Sequence, residues 1–356
     1  MAIREWTRLP RRSAVAAFGG LALLAAAAAA QPPAGHGPYF PADAPWYQDI
    51  SAAPVDPESP AVIAWLASVG GWGGGRMQID FSIEVLEAGA STPFRSFIPT
   101  DDFYDPDCDL APVPLPAGGA IEGESGYQCV GDGDCHLIVV HPPSKLLFEM
   151  WRANVVGSDF YGGCLVVWDM KLTYPPAGRG EQCTSADAAG FPIAPLLFSA
   201  DEVAAGRIDH AIRFILPNSR MRRLVYVHPA THSTSATSGP ATAPPYGARL
   251  RLQADYPLQN LPNEAARVVA RAMQKYGILL ADGGTIALTA QSDRFTTAKW
   301  SDLLGSHDLA ALKVTDFEMI SSSPRITYTG DCARTFPLFY DGFELGGLAK
   351  WSGSAP

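Results

Sequence analysis

The chain contains few charged residues, and basic residues are the scarcer kind. Of 356 residues, 17% are charged, and 26 Lys and Arg stand against 36 Asp and Glu, giving a formal net charge of −10. Nucleic acids and anionic membranes bind basic surfaces, so this balance argues against both as partners. Because 47% of the residues are hydrophobic, the chain can form a core, and wholesale disorder is excluded.

Several motifs that would name an enzyme class are also absent. The cysteines include no Cys-x-x-Cys pair, which argues against a zinc site. The Gly-x-Ser-x-Gly frame of a nucleophile elbow does not surround Ser185, which argues against a serine hydrolase. The apolar pattern lacks regular strand–helix alternation, which argues against a Rossmann or TIM-barrel architecture.

The N-terminus has the pattern of an export signal. Basic residues from Arg4 to Arg12 precede an uncharged Ala- and Leu-rich run from Ala14 to Ala30, and small residues stand before Gln31. We predict that residues 1–30 are a cleaved signal peptide and that the mature protein is secreted or periplasmic. A membrane anchor is the alternative, but the run is short and weakly apolar for a membrane span.

The number of cysteines agrees with export. An even set of six predicts up to three disulfides in an oxidising compartment. The short loop between Cys129 and Cys135 makes that pair the first expectation. The remaining cysteines are then expected to pair as Cys164–Cys183 and Cys108–Cys332.

Short alternating runs predict an all-β fold, a β-sandwich or jelly roll with one or two peripheral helices. Residues 78–85 alternate polar and apolar side chains, as a half-buried strand does. Helical spacing predicts a helix over Pro262–Tyr276 and a shorter one over Ser301–Lys313. The dipeptide Asp282-Gly283, between two strand-like runs, is typical of a hairpin turn.

These patterns also suggest how the chain is organised. After the signal peptide, residues 31–60 form a Pro-rich N-terminal segment without apolar periodicity. The sandwich domain is expected over residues 61–330. Residues 331–356 follow as a C-terminal tail that Cys332 ties back.

Residues 134–151 provide the strongest hypothesis for a site. They contain two strand-like runs joined by a Pro-rich loop, and a hairpin closed by that loop places His136 opposite Glu149 and Asp134 opposite Trp151. These four side chains share one face, while the other face is apolar and is expected to cover the core. An acid, an imidazole and an indole on the exposed face of a sheet suggest a cleft.

The predicted pair of His136 and Glu149 has clear chemical uses. A carboxylate beside an imidazole raises the basicity of the ring, and such a pair can transfer protons. Trp151 could stack on the apolar face of a sugar, with Asp134 beside it. The alternative is an ordinary cross-strand pair on the surface, with no function in catalysis.

Other polar residues extend this hypothesis. Asp187 and Glu202 are candidates for a second catalytic carboxylate, and Arg249 for binding a carboxylated ligand. His210 stands among apolar residues and is either a core histidine or a substrate-binding residue of a concave site, and His232 is a further candidate for substrate binding. No cofactor is expected; a metal held by His136, His210 and His232 is the minority alternative.

Several stretches together resemble one family of secreted bacterial proteins associated with polysaccharide-degrading soil bacteria. The stretches that carry the resemblance are DGDCHLIVV (132–140), LLFEMWRA (146–153), CTSADAAGFPI (183–193), DEVAAGRIDHAIRFILP (201–217), YVHPATH (226–232), PPYGARLRLQADY (244–256) and QKYGILLADGG (274–284). The resemblance implies a context of polysaccharide breakdown but no particular reaction. The chain departs from the family pattern at Cys135 and at His141.

Three functions fit these features. The first is a secreted enzyme that acts on a polysaccharide or oligosaccharide: a glycoside hydrolase using Glu149 with Asp187 or Glu202, or a lyase with His136 as base. The second is a lectin-like binding module that uses Trp151 and the polar face without chemistry. The third is a structural protein of the cell envelope with no small-ligand site.

Overall fold

The computed structural model describes residue 35 and residues 37–335 of the chain. The predicted signal peptide and residues 336–356 of the predicted tail lie outside the described residues. Within the described part, no helix has the length and apolar character needed to cross a membrane. The prediction of a single domain over residues 61–330 stays a prediction.

The described residues form mostly short strands in several sheets, which confirms the predicted all-β class. The β-sandwich or jelly roll stays a prediction. The strands are β1 (Ile79–Ile83), β2 (Val85–Glu87), β3 (Phe94–Arg95), β4 (Ile98–Pro99), β5 (Val113–Pro114), β6 (Leu137–His141), β7 (Leu146–Met150), β8 (Asn154–Val156), β9 (Asp159–Gly162), β10 (Leu165–Asp169), β11 (Gly180–Glu181), β12 (Ile212–Leu216), β13 (Val225–Tyr226), β14 (Arg249–Leu252), β15 (Ile278–Gly283), β16 (Leu288–Gln291), β17 (Phe317–Met319), β18 (Ile326–Thr327) and β19 (Ala333–Arg334).

Three α-helices lie in the described part of the chain: α1 (Ser59–Ser68), α2 (Ala200–Ala204) and α3 (Glu264–Lys275). Helix α3 confirms the prediction over Pro262–Tyr276. Over Ser301–Lys313 the predicted α-helix is wrong, since this stretch holds only the end of a 3₁₀ turn and further turns. The short 3₁₀ helices are Pro45–Tyr47, Ala194–Leu196, Asn218–Arg220, Leu258–Asn260, Trp300–Asp302 and Val314–Asp316.

The larger sheet has six strands in the order β1-β16-β12-β15-β14-β17. It is mixed, with β1 parallel to β16, β12 parallel to β15, and the other pairs antiparallel. The predicted hairpin at Asp282-Gly283 is wrong, because β12 lies between β15 and β16. Both residues instead end strand β15.

The second sheet has four strands in the order β10-β7-β6-β2. Strands β6 and β7 form the predicted hairpin, but Ile138 rather than His136 lies opposite Glu149. The register differs by two residues because His141 belongs to strand β6, where it pairs with Leu146, and the turn begins at Pro142. A shift of two preserves which side chains share a face.

Both faces of the four-stranded sheet are covered. Ile138 and Leu147 belong to a large apolar cluster that also contains Phe214 of the six-stranded sheet. On the other face, Val139 and Phe148 pack in a smaller cluster beneath the loops. The expectation of one solvent-exposed sheet face is therefore wrong.

The N-terminal segment contributes to the larger cluster from Tyr39 onward. Phe40 and Trp46 are buried in it, and their rings meet edge to face at 5.1 Å between centroids. This part of the predicted Pro-rich segment is therefore packed against the protein.

All six cysteines are paired, as Cys108–Cys164, Cys129–Cys135 and Cys183–Cys332. The Cys129–Cys135 prediction is confirmed, whereas the predicted pairs Cys164–Cys183 and Cys108–Cys332 are wrong. Asp109 N donates to Leu165 O at 2.7 Å, which brings the neighbouring Cys108 beside Cys164. Strands β11 and β19 are paired, which brings Cys183 beside Cys332.

Candidate functional site

A cleft of about 730 Å³ lies where several chain segments meet, and we call it the site cleft. The four-stranded sheet side provides Asp134, just before β6, and Trp151, just after β7. The six-stranded sheet provides Asp282 at the end of β15. Loops complete the lining with, among others, Ser185, His232 and Tyr328.

The loop of residues 183–193 forms one wall and is held by its own hydrogen bonds. The Ser185 hydroxyl donates to Phe191 O at 2.6 Å and accepts from Asp187 N at 2.9 Å. Gly190 has φ +81°, and a Cβ there would lie 2.1 Å from Thr231 Oγ1, so only glycine fits this position. Both bonds of the Ser185 hydroxyl lie within the loop, so this residue holds the loop in position.

Arg213 of strand β12 is the centre of a buried ionic network beneath the cleft. Its Nε donates to Asp187 Oδ1 at 2.7 Å, and its Nη2 donates to Asp282 Oδ2 at 3.0 Å. Its Nη1 donates to Thr289 of β16 at 2.8 Å. One guanidinium therefore bonds to both neighbouring strands and to the loop wall.

A β-bulge directs Asp282 toward Arg213. Phe214 pairs with Leu280 but Ile215 pairs with Asp282, so Ala281 is an extra residue in β15. The extra residue reverses the alternation of side chains and places Asp282 on the face that Arg213 occupies.

Burial raises the pKa of both aspartates that bind Arg213. The pKa of Asp187 rises to about 7 because the residue is completely buried, and the Arg213 charge opposes only part of that effect. The pKa of Asp282 is also raised by burial against the opposing Arg213 charge, although its side chain is still 24% exposed. Asp282 is therefore a carboxyl group that holds a proton at higher pH than usual and is reachable from the cleft.

His136 bonds to Glu122, and the predicted pair with Glu149 is not formed. Its Nδ1 lies 2.6 Å from Glu122 Oε2, and its Nε2 lies 3.0 Å from Ala186 O. Burial would lower the pKa of His136, but the Glu122 carboxylate outweighs it and raises the pKa to about 9. Both ring nitrogens donate, so His136 has no free lone pair with which to act as a base.

Trp151 and Asp134 meet at the rim of the cleft. The indole Nε1 donates to Asp134 Oδ1 at 3.0 Å. The bond fixes the ring and leaves the second oxygen of the carboxylate for other partners.

His232 lies in the cleft wall and is neutral. Burial lowers its pKa to about 4. Its Nδ1 donates to Ala188 O at 2.7 Å, and its Nε2 accepts from the Tyr328 hydroxyl at 2.8 Å. The ring thus orients Tyr328 and adds no charge to the cleft.

Glu149 lies in the core, outside the cleft, and is 0% exposed. Its carboxyl accepts hydrogen bonds from the backbone N–H groups of Ile193 and Ala194, at 2.8 Å each, and from Trp168 Nε1 at 3.0 Å. Burial raises its pKa to about 7, against the effect of these donors. The arrangement ties the four-stranded sheet to the start of the 3₁₀ turn Ala194–Leu196.

Glu202 and His210 line a second cleft of about 600 Å³. Glu202 completes a capping box with Ser199 at the start of α2, and its Oε1 lies 3.2 Å from His210 Nε2. Arg249 lines neither cleft; it binds the backbone oxygens of Tyr276 and Pro45. The predicted site residues are therefore divided among the site cleft, the second cleft and the core.

The structure does not bring the proposed metal ligands together. In the part of the chain that the structure describes, His136, His210 and His232 form no group with ligand atoms within 4.8 Å. Each has its own hydrogen-bond partners. The groups that do meet this distance each contain two disulfide-bonded cysteines, which have no thiolate to offer.

Sequence reasoning missed several residues of the site, including Asp282, Glu122, Arg213 and Tyr328. Asp282 was interpreted as part of a turn, and Glu122 lies in a loop with no periodic pattern. Arg213 had a signal, since it is the one cation among the apolar residues of β12. Such a residue requires buried acidic partners, although the sequence does not say which.

We compared the chain with protein-family models, with curated proteins and with solved structures, and none of the three comparisons gave a match.

Proposed function

We propose that the protein is a secreted or periplasmic glycoside hydrolase that binds a polysaccharide or oligosaccharide in the site cleft. The observation that carries the proposal is the meeting of Asp282, Asp134 and Trp151 in one cleft. Glycosidases commonly use two carboxyl groups beside an aromatic platform for the sugar. The resemblance to proteins of polysaccharide degraders and the three disulfides support this context.

In this proposal Asp282 is the general acid. Burial raises its pKa, which keeps a proton available, and Arg213 fixes the orientation of the carboxyl group. The proton passes to the glycosidic oxygen as the bond from that oxygen to C1 breaks. Water then supplies a hydroxyl to C1 and returns a proton to Asp282.

Asp134 supplies the second carboxylate. Its bond to the Trp151 indole holds it at the rim, where it can stabilise the positive charge that develops at C1. The cleft is expected to lie at the edge of a β-sandwich formed by the two larger sheets. The shared apolar cluster of Ile138 and Phe214 supports that arrangement.

The proposal is tested by incubating the purified mature protein with a panel of polysaccharides and measuring new reducing ends. Asp282→Asn and Asp134→Asn should each lower turnover by about 10²-fold or more, the scale of general acid–base catalysis. Asp255→Asn removes the same charge at an exposed position outside both clefts and should leave turnover unchanged.

Two results would contradict hydrolysis. Binding of an oligosaccharide without any cleavage would indicate the lectin-like alternative. Cleavage that survives both substitutions, in variants that melt at the wild-type temperature, would place the catalytic residues elsewhere.

A further inference from the structure

Four carboxyl groups line the site cleft, and one of them, Asp282, is paired with Arg213 beneath the cleft. Asp105, Asp107, Asp134 and Asp282 line it, and no Lys or Arg does so among the described residues. The histidine of the cleft, His232, is neutral because burial lowers its pKa. The lining is therefore acidic.

The arginines near the cleft are already paired with other acids. Arg152, beside Trp151, bonds to Asp102 at 3.5 Å and to Asp132 at 3.2 Å. Arg179 and Arg334 both bond to Asp109 Oδ1. Beneath the cleft, Arg213 is paired with Asp187 and Asp282, and His136 is paired with Glu122.

Aromatic side chains occupy the same lining. Phe103, Tyr104, Trp151 and Tyr328 all contribute to the cleft. Aromatic faces bind the apolar face of a sugar and also attract cations. A ligand that combines a sugar ring with a positive charge would use both the rings and the carboxylates.

We propose that the site cleft takes an oligosaccharide of amine-bearing sugars, such as linked 2-amino-2-deoxy units, and rejects polyuronates. This inference rests on the proposed function, since it names the substrate class of the same cleft. Asp282 keeps its proton as the general acid, so each protonated amine meets Asp105, Asp134 or a ring face. A uronate would meet like charges, without a free arginine in the described lining to neutralise it.

The test measures binding by titration calorimetry with three tetrasaccharides: glucosamine, N-acetylglucosamine and galacturonic acid. At about pH 5.5 the amines are protonated and ordinary carboxyl groups are ionised. The glucosamine tetramer should bind at least about tenfold more tightly than the neutral one, and the galacturonic acid tetramer most weakly. This preference should shrink when salt rises from about 0.05 M to about 0.5 M.

Two variants test whether the preference for the glucosamine tetramer arises in the site cleft. Asp105 is exposed in the lining, and Asp105→Asn should weaken binding of the glucosamine tetramer about threefold with little effect on the neutral one. Asp255→Asn, the matched control, should change neither. Equal affinity for the amine and its acetylated form, or tighter binding of the uronate, would overturn the inference.

A reducing-end assay on the same tetramers separates this inference from the proposed function. Preferential binding of the amine without cleavage supports the inference and contradicts hydrolysis. Cleavage of a neutral glycan without preference for the amine overturns the inference and supports hydrolysis.

Discussion

At the scale of single residues, hydrogen-bond partners decide what each titratable group can do. His136 donates from both ring nitrogens and is a structural cation. Glu149 accepts from three N–H groups and holds the four-stranded sheet to the 3₁₀ turn Ala194–Leu196. Asp282 has a raised pKa and remains reachable by a ligand. The proposed hydrolysis therefore uses the partly exposed carboxyl groups rather than the most buried ones.

Replacing Glu149 by glutamine should lower the free energy of unfolding by about 1–3 kcal/mol. The amide group of glutamine would face an N–H donor, from Trp168 or from the backbone, and leave it without an acceptor. Urea denaturation measures the change. Glu87→Gln, on the partly exposed edge of the same sheet, should change stability by less than about 0.5 kcal/mol. If the two substitutions lowered the free energy of unfolding equally, the role given to Glu149 would be contradicted.

The ion pair of His136 and Glu122 should make stability depend on pH in a stated direction. The pKa of His136 is raised from 6.5 to about 9. Its contribution to the free energy of unfolding is therefore complete below pH 6.5 and is lost as pH rises through 9. The Glu122 pKa falls from 4.5 to about 2, because the His136 charge outweighs burial. Its contribution is complete above pH 4.5 and is lost as pH falls through 2.

The loss on the alkaline side should amount to about 3 kcal/mol in the free energy of unfolding. Urea midpoints between pH 6 and pH 10 measure it, and proton NMR of the ring gives the His136 pKa directly. Glu122→Gln should flatten this dependence. A His136 pKa near 6.5 in the native protein would contradict the ion pair.

At the scale of elements, local patterns determine helices and strands better than they determine which strands pair. The i, i+3, i+4 spacing located α3, and the apolar runs located β6 and β7. The turn signal at Asp282-Gly283 failed, because β15 pairs with β12, about 65 residues earlier, and no local pattern specifies so distant a partner. The predicted register of the hairpin is wrong by two residues, because the loop length alone does not show where strand β6 ends.

The cap of helix α3 offers a test at this scale. Asn263 Oδ1 accepts from Ala266 N at 2.8 Å, and its Nδ2 donates to Asp308 Oδ2 at 2.7 Å. Asn263→Ala should lower the free energy of unfolding by about 1–2 kcal/mol, while Asn263→Ser keeps the cap and should lose about half as much. Thermal melts of both variants separate the two bonds, because both variants lose the bond to Asp308 and only Asn263→Ser keeps the cap. Equal losses of stability in the two variants would contradict the contribution of the cap.

At the scale of the whole molecule, the two sheets are joined by the chain itself. Strand β1 belongs to the six-stranded sheet and β2 to the four-stranded sheet, with only Glu84 between them. The site cleft draws on segments from Phe103 to Gly330. This is why the sequence predicted Trp151 and Asp134 together but could not add Asp282 or Tyr328.

The disulfide pattern gives a test of the whole architecture. Peptide mapping of the purified protein without reductant should yield linked peptides for Cys108–Cys164, Cys129–Cys135 and Cys183–Cys332. Alkylation before reduction should label no cysteine. Linked peptides joining Cys164 to Cys183 would contradict the arrangement of β10 and β11.

The bond between Cys183 and Cys332 spans 149 residues of sequence and adjoins two walls of the site cleft, at Thr184 and at Gly330. A chain whose cysteines are reduced would lack this closure beside the cleft. The cleft would then be complete only once Cys183 and Cys332 are joined. In the proposed hydrolase, oxidation of these two thiols would therefore precede activity.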